Sequence, residues 1–326
     1  MKCGAMTTPD LIAQAEPAEV PAYSVVIPVY RSGEILHELT ARLRGLFEQR
    51  GDSFEIVFVE DCGGDNSWGI VRQLVEGERR IRGIRLNRNY GQHNALLCGI
   101  RAARGSIIIT MDDDLQHPPE ELPKLLHKLE EGFDVVYGAT VSEPHGFFRG
   151  TASRITKWVL SNAMGAATAG RVSAWRVFRS PLREAFSDYK SPFVNIDVML
   201  TWATMSFAYV QVEHHPRKQG VSGYTLRMLV RHAMNLMTGF STLPLQLASV
   251  MGFVFSIFGL CVLVYVVWRY LLSGATVPGF AFLASIIAIF SGAQLLAIGI
   301  IGEYLARIHF RTMGRPPYQI GERLNE

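Results

Sequence analysis

The chain has 326 residues, of which 48% are hydrophobic and 19% charged, and its formal net charge is +3. That length suits one large α/β domain with a further part attached, and the low charged share points to a lipid-facing portion. Weak basicity without arginine-rich or aromatic RNA-binding motifs argues against nucleic acid as a partner. Four widely spaced cysteines, Cys3, Cys62, Cys98 and Cys261, form no Cys-x-x-Cys pair and argue against a zinc site or disulfide framework.

Residues 1–21 carry Asp10, Glu16 and Glu19 and no apolar run, which predicts a disordered tail rather than a secretory signal. From there to about residue 139, short β-rich runs alternate with amphipathic stretches. Predicted strands cover residues 24–29, 54–59, 83–86, 106–111 and 134–137; predicted helices cover 35–47, 68–75, 94–103 and 119–129, the last with prolines near its start. Continuous apolar strands that alternate with helices imply an α/β domain with a mainly parallel sheet covered on both faces. Ligands of such sheets bind at the carboxyl ends of the strands.

The second half changes character. No charged residue occurs between Ala233 and Trp268 or between Leu271 and Ile301. Two stretches, about 247–268 and 280–301, are long and apolar enough to cross a bilayer as a hairpin. Arg227 and Arg231 precede the first, and Arg307, Arg311 and Arg315 follow the second, whereas the connector side offers Arg269 alone. Positive flanks mark the cytoplasmic side, so a multi-pass protein of the inner (plasma) membrane is expected, with the catalytic part and both termini in the cytoplasm. The expected division is a tail (1–21), the α/β domain (22–225), a juxtamembrane amphipathic helix (226–243), the hairpin (244–306) and a cytoplasmic C-terminal tail (307–326). Residues 149–160 and 226–237 both read as interfacial amphipathic helices.

The strongest local signal is an apolar strand that runs into Asp112, Asp113 and Asp114, followed by Gln116, His117 and two prolines. Three carboxylates at a strand end repel one another unless a cation or partner compensates them. Their oxygens suit Mg²⁺ or Mn²⁺, ions that also take substrate phosphates. In extended backbone Asp112 and Asp114 point one way and Asp113 the other, and Gln116 adds a carbonyl oxygen. A second acidic loop follows the second strand: Asp61 is placed to accept hydrogen bonds from a nucleotide base or ribose, Gly63 and Gly64 permit a tight turn, and Asp65, Asn66 or Ser67 can cap the next helix, with capping the expected role of Ser67. After the third strand, Arg88 is expected to pair with a diphosphate, and His93 reads as a polar residue at a helix start.

These loops end successive strands. Together, Val26 to Tyr30, Asp61 with Asp65, Asn66 and Ser67, the run Leu86 to His93, the run Asp112 to Pro119, and Gly302 to Arg307 with Arg315 to Tyr318 resemble the family-2 glycosyltransferases of GT-A fold. More narrowly they resemble the polyprenyl-phosphate glycosyltransferases, over nearly the whole chain. The run Asn87 to His93 is most similar to the undecaprenyl-phosphate 4-deoxy-4-formamido-arabinose branch.

The resemblance implies transfer of a sugar, from a UDP-linked donor, onto polyprenyl phosphate with inversion. It implies that Pro28, Tyr30, Asp61, Arg88, Asp112 and Asp113 bind the donor nucleotide; that Asp112, Asp114 and Gln116 hold Mg²⁺ or Mn²⁺; and that Asp114, Arg176 and Arg217 act in catalysis. Arg176 and Lys218 would take the acceptor phosphate, and relatives suggest a homo-tetramer. Two positions depart from the family pattern. Gly170 and Arg171 stand where an acidic residue usually precedes the acceptor-side arginine, and Ser222-Gly223-Tyr224 replaces Ser-Lys-Tyr in the loop near the phosphates. Two other readings compete. A processive polysaccharide synthase would carry Gln-x-x-Arg-Trp, which this sequence lacks, and a non-catalytic membrane-tethered sugar-nucleotide binder would not need the intact Asp112, Asp114 and Gln116.

Overall fold

The computed structural model describes residues 20–139, 172–213, 215, 242–273 and 279–325. The tail, the stretches 149–160 and 226–237, the departures at Gly170, Arg171 and Gly223, and the expected sites Arg217 and Lys218 lie outside the described residues.

The first half folds as alternating strands and helices: β1 (Tyr23–Val29), α1 (Gly33–Arg50), β2 (Phe54–Glu60), α2 (Ser67–Gly77), β3 (Ile81–Leu86), α3 (Gln92–Ala102), β4 (Ile107–Thr110), a 3₁₀ turn (Pro119–Glu121) leading into α4 (Leu122–Glu130), and β5 (Val135–Ala139). β1 and β2 are buried along their whole length, which is why they read as apolar runs rather than as alternations. α1 buries Ile35, Leu36, Leu39, Leu43 and Phe47 on one face and stops at Gly51, whose left-handed φ of 69° suits glycine.

Five elements have no counterpart in the predicted pattern: β6 (Arg176–Arg179), a 3₁₀ helix (Ser180–Phe186), α5 (Ile196–Ala203), β7 (Phe207–Gln211) and β8 (Ile320–Leu324). The eight strands form one sheet in the order β7-β5-β6-β4-β1-β2-β3-β8. β4-β1-β2-β3 pair in parallel, as do β5 and β7, while β6 runs antiparallel to both β4 and β5 and β8 antiparallel to β3. The sheet is mixed but mainly parallel. One face packs on α1, α2 and α4 through residues such as Leu43, Trp68 and Leu125; the other packs on α3 and α5 through Leu96, Leu97, Met199 and Leu200.

Two long helices follow, α6 (Leu243–Ser273) and α7 (Phe280–Thr312). Both contain candidate spans, Pro244–Leu272 and Ile289–Thr312, whose apolar windows have mean hydropathies of 2.6 and 1.5 and contain no buried residue, so both helices are long and apolar enough to cross a membrane. They touch through Phe290, set edge-on to Phe255 at 5.6 Å. α7 runs eleven residues past the expected end at 301, to Thr312, and the chain then returns to the sheet. Residues 320–324 are thus a strand that covers the open edge of β3, not only a tail. Glu322 fastens it, accepting from Arg72 Nη2 at 2.6 Å and from Trp68 Nε1 at 3.1 Å.

Candidate active site

β1, β2, β3 and β4 all end on the same side of the sheet, so the loops that follow them meet. The carboxylate loop after β4 is a turn rather than an extension of the strand. Leu115 takes a left-handed φ of 56°, a conformation uncommon outside glycine and one that marks a tight turn. The three aspartates are therefore separated by their partners, not by the alternation of extended backbone.

Asp113 turns toward the β1 loop, where its Oδ2 accepts the backbone N–H of Tyr30 at 3.1 Å and the hydroxyl of Ser32. Burial pushes its pKa up to about 6 against those two hydrogen bonds. Asp112 faces α3, where Gln92 Nε2 donates to its Oδ1 at 2.5 Å. Asp114 is 7% exposed, and its Oδ1 accepts the Gln116 N–H at 3.1 Å. The Gln116 carbonyl in turn accepts the His215 N–H at 2.9 Å, which brings the chain beyond β7 against this turn.

The loops after β1 and β2 interlock. Arg31 Nε donates to the Gly63 carbonyl at 2.9 Å, and the Ser32 N–H donates to Ser67 Oγ. Gly63 lets the two loops approach closely, because a Cβ would lie 3.0 Å from the Arg31 backbone nitrogen. Ser67 was expected to cap α2; instead Asn66 holds the cap position without a side-chain bond, and Ser67 donates to Asp65 Oδ2 at 2.6 Å. Asn66, another of the three candidates, thus takes the cap position, while the Ser67 hydroxyl bonds Asp65 of its own loop and accepts from Ser32 of the neighbouring one.

Asp61, 3% exposed, accepts the Tyr90 N–H on Oδ1 and the Gly91 N–H on Oδ2, both at 2.7 Å. It ties the β3 loop to β2, and burial raises its pKa to about 6 despite those bonds. Each oxygen keeps a second lone pair for a ligand. Pro28 lies within β1 and Tyr30 just past it, 45% exposed at the rim; Arg88 is exposed, its guanidinium 4.5 Å above the Tyr90 ring. His93 links helices: its Nδ1 accepts the Ile196 N–H at the start of α5.

A scan against family models matches residues 24–189 to glycosyl transferase family 2. The chain belongs to glycosyl transferase family 2. As a family-2 glycosyl transferase it is an enzyme of sugar transfer, and its likeness to curated relatives extends beyond that domain. It is 34% identical over 93% of its length to the undecaprenyl-phosphate 4-deoxy-4-formamido-L-arabinose transferase of Photorhabdus laumondii, covering 94% of that protein. It is also 34% identical to the Proteus mirabilis protein of the same name, over 91% of this chain and 92% of that one. Among solved structures, a mycobacterial protein superposes with a TM-score of 0.50 at 16% identity, over 68% of this chain and 75% of the other, a likeness of fold.

In this glycosyl transferase Arg176 is placed by β6, opposite Thr110 of β4 and Tyr137 of β5. Thr110 ends the strand that carries the aspartates, so Arg176 sits one strand from them. It is 2% exposed; Nη2 lies 3.2 Å from Asp197 Oδ1 and donates to the Ser173 carbonyl at 3.0 Å. Tyr137 Oη also donates to Asp197 Oδ1, at 3.2 Å. Nε and Nη1 of Arg176 have no partner among the described residues. Asp197, Gln92 and Ser32 were not singled out from the sequence. Gln92 lay inside a motif already noted, whereas nothing local distinguishes Asp197 from any acid in the first turn of a helix.

Among the described residues no three His, Cys, Asp or Glu side chains are grouped to hold an ion; the expected set of Asp112, Asp114 and Gln116 contains two such side chains and an amide. Asp112 and Asp114 remain as hard oxygen donors on one turn, with Asp113 committed to the β1 loop. Two carboxylates fit Mg²⁺ or Mn²⁺ that is bound together with a substrate diphosphate, because such ions use one or two protein carboxylates and complete their shell with phosphate and water.

Proposed function

We propose that this enzyme transfers a sugar from a UDP-linked donor to undecaprenyl phosphate, or a similar polyprenyl phosphate, at the cytoplasmic membrane face, with inversion at the anomeric carbon. The observation that carries the reading is a connection: the long apolar helix that ends at Thr312 is followed, after residues 313–319, by β8, an edge strand of the sheet whose strand ends bear Asp112 and Asp114. The loops of the donor site and the strand that follows the apolar helix thereby belong to one sheet. The names of the relatives, which act on undecaprenyl phosphate, support the same acceptor.

Polyprenyl phosphate does not leave the bilayer readily, since each buried CH₂ is worth about 0.8 kcal/mol, so the enzyme has to work at the lipid surface. Its acceptor phosphate is already an anion at neutral pH and needs no general base. Asp112 and Asp114 would hold Mg²⁺ or Mn²⁺ against the donor diphosphate, where the ion supplies stabilisation of leaving-group charge. Pro28, Tyr30 and Asp61 border the nucleotide, and the unpartnered nitrogens of Arg176 serve an anion on the acceptor side. Arg217 and Lys218 are read as basic residues closing on the phosphates. The arginines flanking the helices support a topology with both termini in the cytoplasm.

Membranes carrying the protein, incubated with labelled UDP-sugars and undecaprenyl phosphate, test this. Label that partitions into organic solvent as a single-sugar lipid is expected. Polymer would assign a processive synthase, and donor binding without turnover a tethered binder.

A further inference from the structure

Where the β3 loop becomes α3, consecutive residues hold two carboxylates of the site. The backbone N–H groups of Tyr90 and Gly91 donate to the two oxygens of Asp61, each at 2.7 Å, and the next side chain, Gln92, donates from Nε2 to Asp112 Oδ1 at 2.5 Å. The aspartates of the β4 turn are thus oriented from different directions: Asp113 from the β1 loop through Tyr30 and Ser32, Asp114 from its own turn through the Gln116 N–H, and Asp112 from α3 through Gln92.

Gln92 is exposed. A hydrogen bond at an exposed side chain ordinarily yields to water, because ordering the side chains offsets what the contact gains. Here the backbone that carries the amide is already fixed. Asp61 clamps the two residues before it, Asn94 Nδ2 donates to the Tyr90 carbonyl at 2.6 Å, and His93 Nδ1 accepts the Ile196 N–H of α5 at 3.3 Å. What remains to be ordered is the side chain of Gln92 itself, and its acceptor is an anion, which strengthens the bond. The amide also differs from a basic side chain in the same place. Lysine or arginine would set a positive charge against a carboxylate that serves a cation, whereas glutamine donates without charge.

We infer that Gln92 is a positioning residue for divalent-ion binding: its amide holds the Asp112 carboxylate in the orientation that takes Mg²⁺ or Mn²⁺, and the Asp61 clamp holds Gln92 in register. The inference rests on the metal reading of Asp112 and Asp114 given above.

The test compares full-length protein in detergent with Gln92→Met, which keeps the reach of the side chain and removes the donor. Mn²⁺ titrated in the presence of UDP, and followed by loss of the free-ion EPR signal, should bind the variant about tenfold more weakly, the loss typical when the hydrogen-bond partner of a metal-binding group is removed. Calorimetric affinity for UDP without metal should stay unchanged. In turnover, the Mn²⁺ concentration that gives half the maximal rate should rise by the same factor, and saturating Mn²⁺ should restore most of kcat, because Gln92 acts through Asp112. Unchanged Mn²⁺ binding overturns the inference. So does a loss of metal-free UDP affinity, which would put Gln92 on the nucleotide instead. The EPR readout needs no sugar transfer: a wild type that binds Mn²⁺ through the Gln92-held carboxylate yet makes no lipid-linked sugar would remove the proposed function and leave this role, whereas normal wild-type turnover with unaltered Mn²⁺ binding in Gln92→Met would remove this role alone.

Discussion

Asp113 Oδ2 accepts the backbone N–H of Tyr30 at 3.1 Å, so the middle carboxylate of the aspartate run anchors the loop after β1. Both of its hydrogen bonds use that one oxygen, which an asparagine also possesses. Asp113→Asn should therefore keep donor affinity within about threefold, while Asp113→Ala, which frees the Tyr30 loop at a cost of about 1–3 kcal/mol, should raise the donor KM by about tenfold or more. Steady-state kinetics against the donor distinguishes an anchoring role from a metal-ligand role, in which both variants would fail alike.

Asp112 and Asp114 behave differently if they hold a divalent ion. Asp112→Asn and Asp114→Asn should each lower transfer by about 100-fold or more with the fold intact by circular dichroism. EDTA should abolish wild-type turnover, and Mg²⁺ or Mn²⁺ should restore it. Full activity in either variant would rule out the metal reading.

Arg176 and Asp197 form a buried pair, 2% and 8% exposed at their side chains. Removing one partner leaves the other charge desolvated, which typically costs about 3–5 kcal/mol. Asp197→Ala should lower the melting temperature of the detergent-solubilised enzyme strongly. A double replacement of Arg176 by Met and Asp197 by Leu should be less destabilised than that single change, although inactive if Arg176 serves the acceptor.

The pH dependence has a definite sign at Asp61. Burial raises its pKa to about 6 from the ordinary 3.8, so the folded protein holds this proton more tightly than the unfolded chain between about pH 4 and pH 6. The contribution of this group to stability is fully present below about pH 4 and is lost as pH rises through about 6. The melting temperature of wild type relative to Asp61→Asn should accordingly fall between pH 5 and pH 7. A constant difference across that range would contradict the shift.

β8 covers the edge of β3, and Glu322 ties it to Arg72 and Trp68. Deletion of residues 319–326 should expose a row of unpaired backbone groups and produce aggregation on size exclusion. Glu322→Ala, whose ion pair is half exposed, should cost no more than about 1 kcal/mol.

The amino-acid sequence by itself determined the first five strands, the first four helices and the two apolar helices, because these elements carry period-2, period-3.6 or continuous apolar signals within a few residues of one another. It also identified the loops that converge, since a parallel sheet puts the ends of β1 to β4 on one side. It did not disclose β6, β7, α5 or β8. β7 exposes alternate residues at the sheet edge, and β8 is five residues, Ile320 to Leu324, whose pairing with β3 lies more than 230 positions away in the chain. Tertiary structure alone decided what each site residue touches: that Asp61 holds Tyr90 and Gly91, that Asp113 holds Tyr30, and that Arg176 answers Asp197. Motifs report which atoms are available at a strand end; the partners of those atoms come from other strands and helices, and only the packed sheet brings them within hydrogen-bond reach.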